Sequence, residues 1–343
     1  MPIKPIFDKP NIIITGGAGF IGSHLCDELV KNSKVICIDN FISGSQLNID
    51  HLLVYPDFRF IKHDLNLPID LEALPELERF EIKFQGVQEI YHLACPTSPK
   101  DFEKYRIDTL LANSYGMKNV LDLAVKYKAK FLQASTSVVY GNRSSATPYF
   151  KEDFIGEVDL LSPRACYDEG KRYAETMAQT YADVFGIDIR LARIFRTYGP
   201  RMPLRHGHMI PDFIMNAIDN EPLRIFGDSN FSSSLVYVSD VVDGLVKLMS
   251  TADNPGPVNI GSDIDLKIAD VAQKIIDLTV SKSTIEYSNA LMFMTQLGLP
   301  DINRAKNVLG WVPVVTLTDG LEKTIDYTQA HKSLLTAAWQ LSE

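Results

Sequence analysis

The sequence predicts an α/β protein, built on a doubly wound parallel sheet with a smaller C-terminal α/β lobe. Three observations predict it. Short β-branched runs alternate with longer helical patterns through the first half, the signature of βαβ units with right-handed crossovers. A glycine-rich turn directly follows the first such run and opens a helical pattern. The second half is more irregular, with short strand candidates and frequent Pro and Gly in the connections. At 343 residues the chain is too long for one small core and suits about two lobes.

The elements follow in order. Strand candidates are NIIIT (11–15), KVICID (34–39), FRFIK (58–62), EIYHLA (89–94), KFLQAS (130–135) and DIRLARIF (188–195). Helical patterns lie between them at 20–32, 108–127 and 164–185. Later strand candidates are LRIFG (223–227), SLVYV (234–238) and PVNIG (257–261), with helical patterns at 210–219, 239–250, 267–280 and 317–330. A second lobe over the carboxyl ends of the parallel strands makes a cleft there, where such sheets bind ligands.

Composition narrows the function. An apolar fraction of 45% and a charged fraction of 22% are those of an ordinary globular protein. The net charge of −9 argues against nucleic acid or an anionic membrane as partner, so an anionic substrate would need a locally basic pocket. No apolar run approaches the roughly 18 residues of a membrane span, and the N-terminus has no secretory h-region. Cys26, Cys37, Cys95 and Cys166 are scattered, which reads as reduced thiols and a cytoplasmic location. His206 and His208 form the only close histidine pair, without a Cys or carboxylate at ligand spacing, so no metal is expected.

Gly16, Gly19 and Gly22 stand straight after the first strand candidate. Glycine there lets the backbone turn sharply and approach a pyrophosphate, whose charge suits a helix N-terminus. The second strand ends in Asp39, 23 positions after Gly16. A carboxylate at that place accepts hydrogen bonds from the adenosine ribose and repels a 2′-phosphate, so the cofactor expected is NAD. Asp64, after the third strand, reads equally as a residue facing the adenine or as a turn aspartate.

Thr136 closes the fifth strand, at a carboxyl end that reaches a nicotinamide cleft. Tyr167 and Lys171, in LLSPRACYDEGKRYAETM (161–178), share a helix face by spacing alone. After a complete dinucleotide motif the three residues read as a catalytic set. A tyrosinate takes the hydroxyl proton as hydride leaves carbon, and a neighbouring ammonium lowers the tyrosine pKa. Thr136 holds the same oxygen, and Lys171 also suits the nicotinamide ribose.

These motifs, with HLACPTSP (92–99), ARIFRTYGPRM (192–202), YVSDVVDGL (237–245) and PDINRAKNVLGWVP (300–313), resemble the extended short-chain dehydrogenase/reductases, the NAD-dependent epimerase/dehydratase family, over nearly the whole chain. Within that family the chain is most similar to the UDP-glucuronate decarboxylase branch. The resemblance implies a Rossmann-type domain at 1–195 that binds NAD and a mainly nucleotide-sugar-binding lobe at 196–343, with segments near 235–262 returning to the first domain. It implies cofactor contacts at Phe20, Ile21, Asn40, Leu65, Leu93 and Ala94 beside the glycines, Asp39, Asp64, Tyr167 and Lys171. Substrate contacts fall to Pro96 and Ser137. The implied reaction oxidises C4 of the sugar, loses CO2 from the resulting β-keto acid, protonates C5 and returns hydride. A homodimer joined through helices 108–127 and 164–185 is also implied.

The chain departs from the branch pattern at several places. Val138 replaces a glutamate acid/base group, Arg196 an asparagine, and Ser233 an arginine that grips the substrate's anionic groups. The basic residue usual before Pro300 is absent, and 67–84 looks like an insertion. A rebuilt anion grip is therefore expected around Arg196, Arg201 and Arg205, of which Arg205 reads equally as a solvated charge. Three classes stay open: a decarboxylase, a nucleotide-sugar 4-epimerase or related oxidoreductase, and a weakened NAD-binding regulator.

Overall fold

The computed structural model describes residues 9–97, 104–144, 146–205, 207–289 and 297–340, with side chains to Thr336 in the last helix. His206 and the end of the HLACPTSP segment lie outside the described residues. β1 (Asn11–Thr15), β2 (Lys34–Asp39), β3 (Phe58–Lys62), β4 (Glu89–His92), β5 (Lys130–Thr136) and β6 (Ile189–Ile194) belong to one seven-stranded sheet. β7 (Leu223–Phe226) lies outside it, and β8 (Pro257–Ile260) supplies the seventh strand. The order is β8-β6-β5-β4-β1-β2-β3, every pair parallel. The chain runs from β1 to β2 and β3 on one side, then crosses back to β4. A crevice therefore opens at the carboxyl ends between β1 and β4.

The central strands β1, β2 and β5 are buried almost throughout, without alternation, because helices cover both faces. Ile12, Ile13 and Ile14 are at most 2% exposed. One face packs against α1 (Phe20–Leu29) and, from later in the chain, Val241, Leu245 and Leu248. The other packs against α3 (Met117–Tyr127) and α4 (Ala165–Phe185) through Val120, Leu121, Ala174 and Ala178. α2 (Arg106–Leu111) precedes α3, and a π-helical turn at Ala112–Gly116 breaks the helix that the sequence presents as continuous. Inside this turn the buried Asn113 donates to the Thr109 carbonyl at 2.8 Å and to the Cys95 sulfur at 3.2 Å. Gly170 of α4 makes room for it: a Cβ there would sit 3.0 Å from the Asn113 amide nitrogen.

The inserted segment 67–84 folds as two short 3₁₀ turns, Leu71–Ala73 and Pro75–Phe80, followed by a single α-helical turn from Ile82. Leu71, Leu77, Phe80 and Ile82 extend the second face of the core, and Asn11 donates to the Phe80 and Gly86 carbonyls at 2.8 Å. A smaller core joins α5 (Met209–Asp219) to α7 (Ile268–Leu278) through Phe213, Ile214, Val271 and Ile275, with Leu321 and Ile325 of α9 (Leu317–Gln340). β7 pairs there with β9 (Ile285–Ser288). α6 (Val238–Met249) instead packs on the main sheet beside α1. Of the segment 234–238, Val236 and Tyr237 alone form strand, paired with Thr197 and Tyr198, because Val238 already begins α6. α8 (Asn303–Leu309) and the last ten residues of α9 are helical beyond the patterns that the sequence presents.

Trp311 is fully buried under α6, and its indole donates to the Asp240 carbonyl at 2.9 Å. Trp311→Ala leaves a cavity and a carbonyl without its donor. Urea unfolding followed by circular dichroism should show a loss of ~3–5 kcal/mol.

Candidate active site

The glycine turn is built by close approach. Gly16 has φ +69°, and a Cβ on it would meet the backbone of Leu93 and Ala94 at 2.8–2.9 Å. A Cβ on Gly22 would lie 2.2 Å from the Gly16 carbonyl oxygen. α1 therefore starts tight against the ends of β1 and β4, with its first N–H groups facing the crevice. The Asp39 carboxylate accepts from the Ala18 N–H at 3.1 Å and the Phe41 N–H at 2.8 Å. Burial raises its pKa, and these backbone donors oppose the rise. The carboxylate thus pins the turn with two of its acceptor sites and keeps others for a ribose.

A cavity of about 350 Å³ runs from this turn to the end of β5. The cofactor candidates Gly16, Gly19, Phe20, Ile21, Gly22, Asp39, Asn40, Asp64, Leu65, Leu93, Ala94, Tyr167 and Lys171 all line it, as do Thr136 and the substrate candidates Pro96, Ser137 and Arg196. Arg201 and Arg205 do not. Arg201 is drawn away by an ion pair with Asp27 at 2.7 Å. Arg205 lies in a left-handed bend, where its own N–H donates to Asp212 at 2.9 Å. Of the three arginines expected to grip an anion, Arg196 is thus the one that lines this cavity.

At the reaction end, α4 lies along the end of β5. Lys171 Nζ donates to the Ala134 carbonyl at 3.0 Å, and Thr136 hydrogen-bonds the Tyr167 side chain. Burial pushes the Tyr167 hydroxyl well above the ordinary phenol range, and the Cys95 thiol beside it adds to the rise. The Thr136 hydrogen bond and the Arg164 guanidinium pull it back down. The Arg164 guanidinium, which the sequence reading passed over, thus acts on Tyr167 alongside the Thr136 hydrogen bond. The signal for it is its position three residues before Tyr167 at the start of α4. Arg164 also donates to Asp168 at 3.3 Å, whose carboxyl burial pushes up to about 6 against that pairing.

Val138 is 4% exposed and packs on Tyr167 with Cys95, Cys166 and Leu297. The wall beside the tyrosine is therefore apolar. Across the cavity stands Arg196, whose guanidinium has no hydrogen bond or ion pair among the described residues. Burial first, then the charges of Arg164 and Arg143, lower its pKa to about 10. Arg143 is a second residue the sequence reading passes over. It crosses to the strand of Ser232 and Ser233, donating to the Ser232 carbonyl at 3.0 Å and hydroxyl at 2.7 Å. Nothing in its local pattern marks it, because the contact spans 89 positions.

This fold and this cavity define a class: dinucleotide-binding α/β enzymes with the reaction site at the carboxyl edge of a parallel sheet. More particularly, residues 12–261 match the model of the NAD dependent epimerase/dehydratase family, and the chain belongs to that family. It is 41% identical over 321 residues to UDP-glucuronic acid decarboxylase 1 of Danio rerio, an alignment covering 93% of this chain and 73% of that protein. An epimerase from Methanothermobacter thermautotrophicus has a similar structure, with TM-score 0.84, 26% identity and coverage of 96% and 95% of the two chains. So does UDP-glucuronic acid 4-epimerase from Bacillus cereus in complex with UDP-glucuronic acid and NAD, with TM-score 0.80, 30% identity and coverage of 93% and 99%. The glycine cradle and the Asp39 carboxylate fit the family's NAD. Among the described residues no group of His, Cys, Asp and Glu is arranged for a metal, and no helix is long and apolar enough to cross a membrane.

The buried His92 and the half-buried His24 give the fold an acid-sensitive term. His92 bonds Thr15 at 2.7 Å, and burial, helped by Lys171, lowers its pKa to about 3. Burial and Arg201 lower that of His24, on α1, to about 4. Both folded pKa values lie below the unfolded value of about 6.5, so between that pH and the lowered values the unfolded chain binds more protons. Stability should fall as pH drops through this window, by up to ~1.4 kcal/mol per unit for each histidine. Urea titrations between pH 7 and pH 5 measure the slope, which His92→Gln should flatten.

Proposed function

We propose that the protein decarboxylates UDP-glucuronate through a C4-keto intermediate. The observation that carries this reading is Arg196, an uncompensated guanidinium in the cavity that holds Tyr167. It calls for an anionic group on the substrate, a sugar carboxylate or a diphosphate, paired in bidentate geometry. The likeness to decarboxylases at about 40% identity supports the same choice. The lobe formed mainly by 196–343 would hold the nucleotide sugar, and 1–195 the cofactor.

NAD, bound along the glycine turn, supplies hydride acceptance at C4 and its return. The protein's own residues do the rest. Tyr167 takes the C4 hydroxyl proton and gives it back at the end, with Thr136 holding the same oxygen. Arg164 and Lys171 favour the tyrosinate. Once C4 is a ketone, the C5–C6 electron pair flows into it as CO2 leaves, and the enolate takes a proton at C5 from a water molecule, so that Tyr167 keeps the C4 hydroxyl proton for the final reduction. The electron sink lies in the substrate, so Val138 in place of an acid/base side chain does not block the step. The apolar wall of Val138 and Leu297 keeps bulk water from the reacting carbons.

A second reading is a 4-epimerase, favoured by Val138. With no further acid/base group beside Tyr167, inversion at C4 needs only rotation of the ketone. UDP-[6-¹³C]glucuronate separates the two readings. The label should appear as bicarbonate; a label retained on a C4-inverted sugar would replace the proposal by the epimerase. Tyr167→Phe should lower turnover by at least ~10²-fold with NAD still bound. Arg196→Met should raise KM by about 10- to 10²-fold, the value of a charge-assisted hydrogen bond, and a near-normal KM for an anionic sugar would remove its role.

The outer surface of α2, the π-helical turn after it and α4 exposes Ile107, Leu110, Tyr115 and Tyr173. A second copy would cover them, giving a homodimer. Sedimentation at micromolar concentration should show the dimer, and Tyr173→Glu should shift it towards monomer.

A further inference from the structure

Tyr167, Lys171 and Glu175 lie four positions apart on one stripe of α4, and each meets one of three consecutive residues of β5. Tyr167 meets Thr136, Lys171 meets the Ala134 carbonyl, and Glu175 accepts from the Ser135 hydroxyl at 2.5 Å. Glu175 is also tied to a further strand. Arg193 of β6, the ladder partner of Ser135, grips it in a fork at 3.0 and 2.7 Å. Both side chains of that pair are 12% exposed. Arg193 is itself fixed by the Tyr140 hydroxyl and the Glu152 carbonyl, each at 2.9 Å. Tyr140 continues the network to Asn259 of β8 at 2.7 Å. Glu175 does not line the cavity, although Ser135 does.

We infer that Glu175 is a positioning residue: its fork with Arg193 and its bond to Ser135 set the register of α4 against β5, and so the placement of Tyr167 and Lys171. The inference rests on the proposed role of Tyr167. A helix is free to slide or rotate by fractions of an ångström on apolar contacts, and Ala174 and Ala178 beside Glu175 offer little to stop it. A bidentate ion pair fixed at both ends removes that freedom. Misplacement of about an ångström at a reacting group costs up to ~10²-fold in rate.

The test compares Glu175→Gln with Glu175→Met/Arg193→Met, which removes both charges and leaves neither buried alone. In Glu175→Gln, kcat should fall about 10- to 10²-fold, with KM nearly unchanged. The rise of kcat with pH should move up by about one unit, as Tyr167 loses its placement near cations. The double variant should regain thermal stability without regaining kcat. A folded Glu175→Gln with the parent kcat and pH profile would overturn the inference. So would a double variant that recovers rate and stability together, since that is the behaviour of a purely structural pair. Titration of Tyr167 by ¹³Cζ-tyrosine NMR in the NAD-loaded protein, assigned with Tyr167→Phe, reads the placement without any sugar. An upward shift there in Glu175→Gln supports the inference even if UDP-glucuronate is not a substrate; an unchanged titration contradicts it even if CO2 is released.

Discussion

Everything at the site depends on the parallel alignment of the sheet. With all seven strands running the same way, their carboxyl ends fall on one edge. The first crossover reversal, between β1 and β4, leaves that edge open. The glycine turn after β1, the Asp39 carboxylate after β2 and Thr136 at the end of β5 meet because each is the last residue of a strand or follows it directly. The close backbone approach at Gly16 and Gly22 is the complementary requirement. A Cβ at either position would push α1 off the strand ends and close the space a pyrophosphate needs.

Burial and charge oppose each other at the reaction end. Tyr167 is deep enough that desolvation holds its proton, and Thr136 and Arg164 compete with that effect. The apolar wall of Val138 and Leu297 strengthens both sides of the competition, since excluding water raises the desolvation penalty and lengthens the reach of each cation. Arg196 shows the same balance with the opposite sign. Its pKa is lowered by burial among other guanidinia, and it stays charged only because an arginine starts so high. An incoming anion would relieve that repulsion.

The departures from the decarboxylase pattern act together. Where Ser233 leaves its strand without an arginine, Arg143 reaches across from the loop after β5 and bonds Ser232. Val138 puts an apolar side chain, and Arg196 a cation, in the cavity that holds Tyr167. The 67–84 insertion lies apart from this, adding Leu77 and Phe80 to the core behind β3 and β4.

The sequence by itself determined the sheet and the cofactor end of the site. The first three strands run over the predicted residues, because a buried parallel strand needs a continuous β-branched run and little else has one. Gly16, Gly22, Asp39, Thr136 and Tyr167 were readable because their requirements are local: a missing Cβ, a strand end, a helix face. Tertiary structure decided what depends on distant charges. It turned Arg201 to Asp27, brought Arg143 to Ser232 and tied Glu175 to Arg193. A guanidinium on a long flexible stem finds whichever carboxylate or carbonyl the fold brings within reach, and sequence spacing carries no record of that distance.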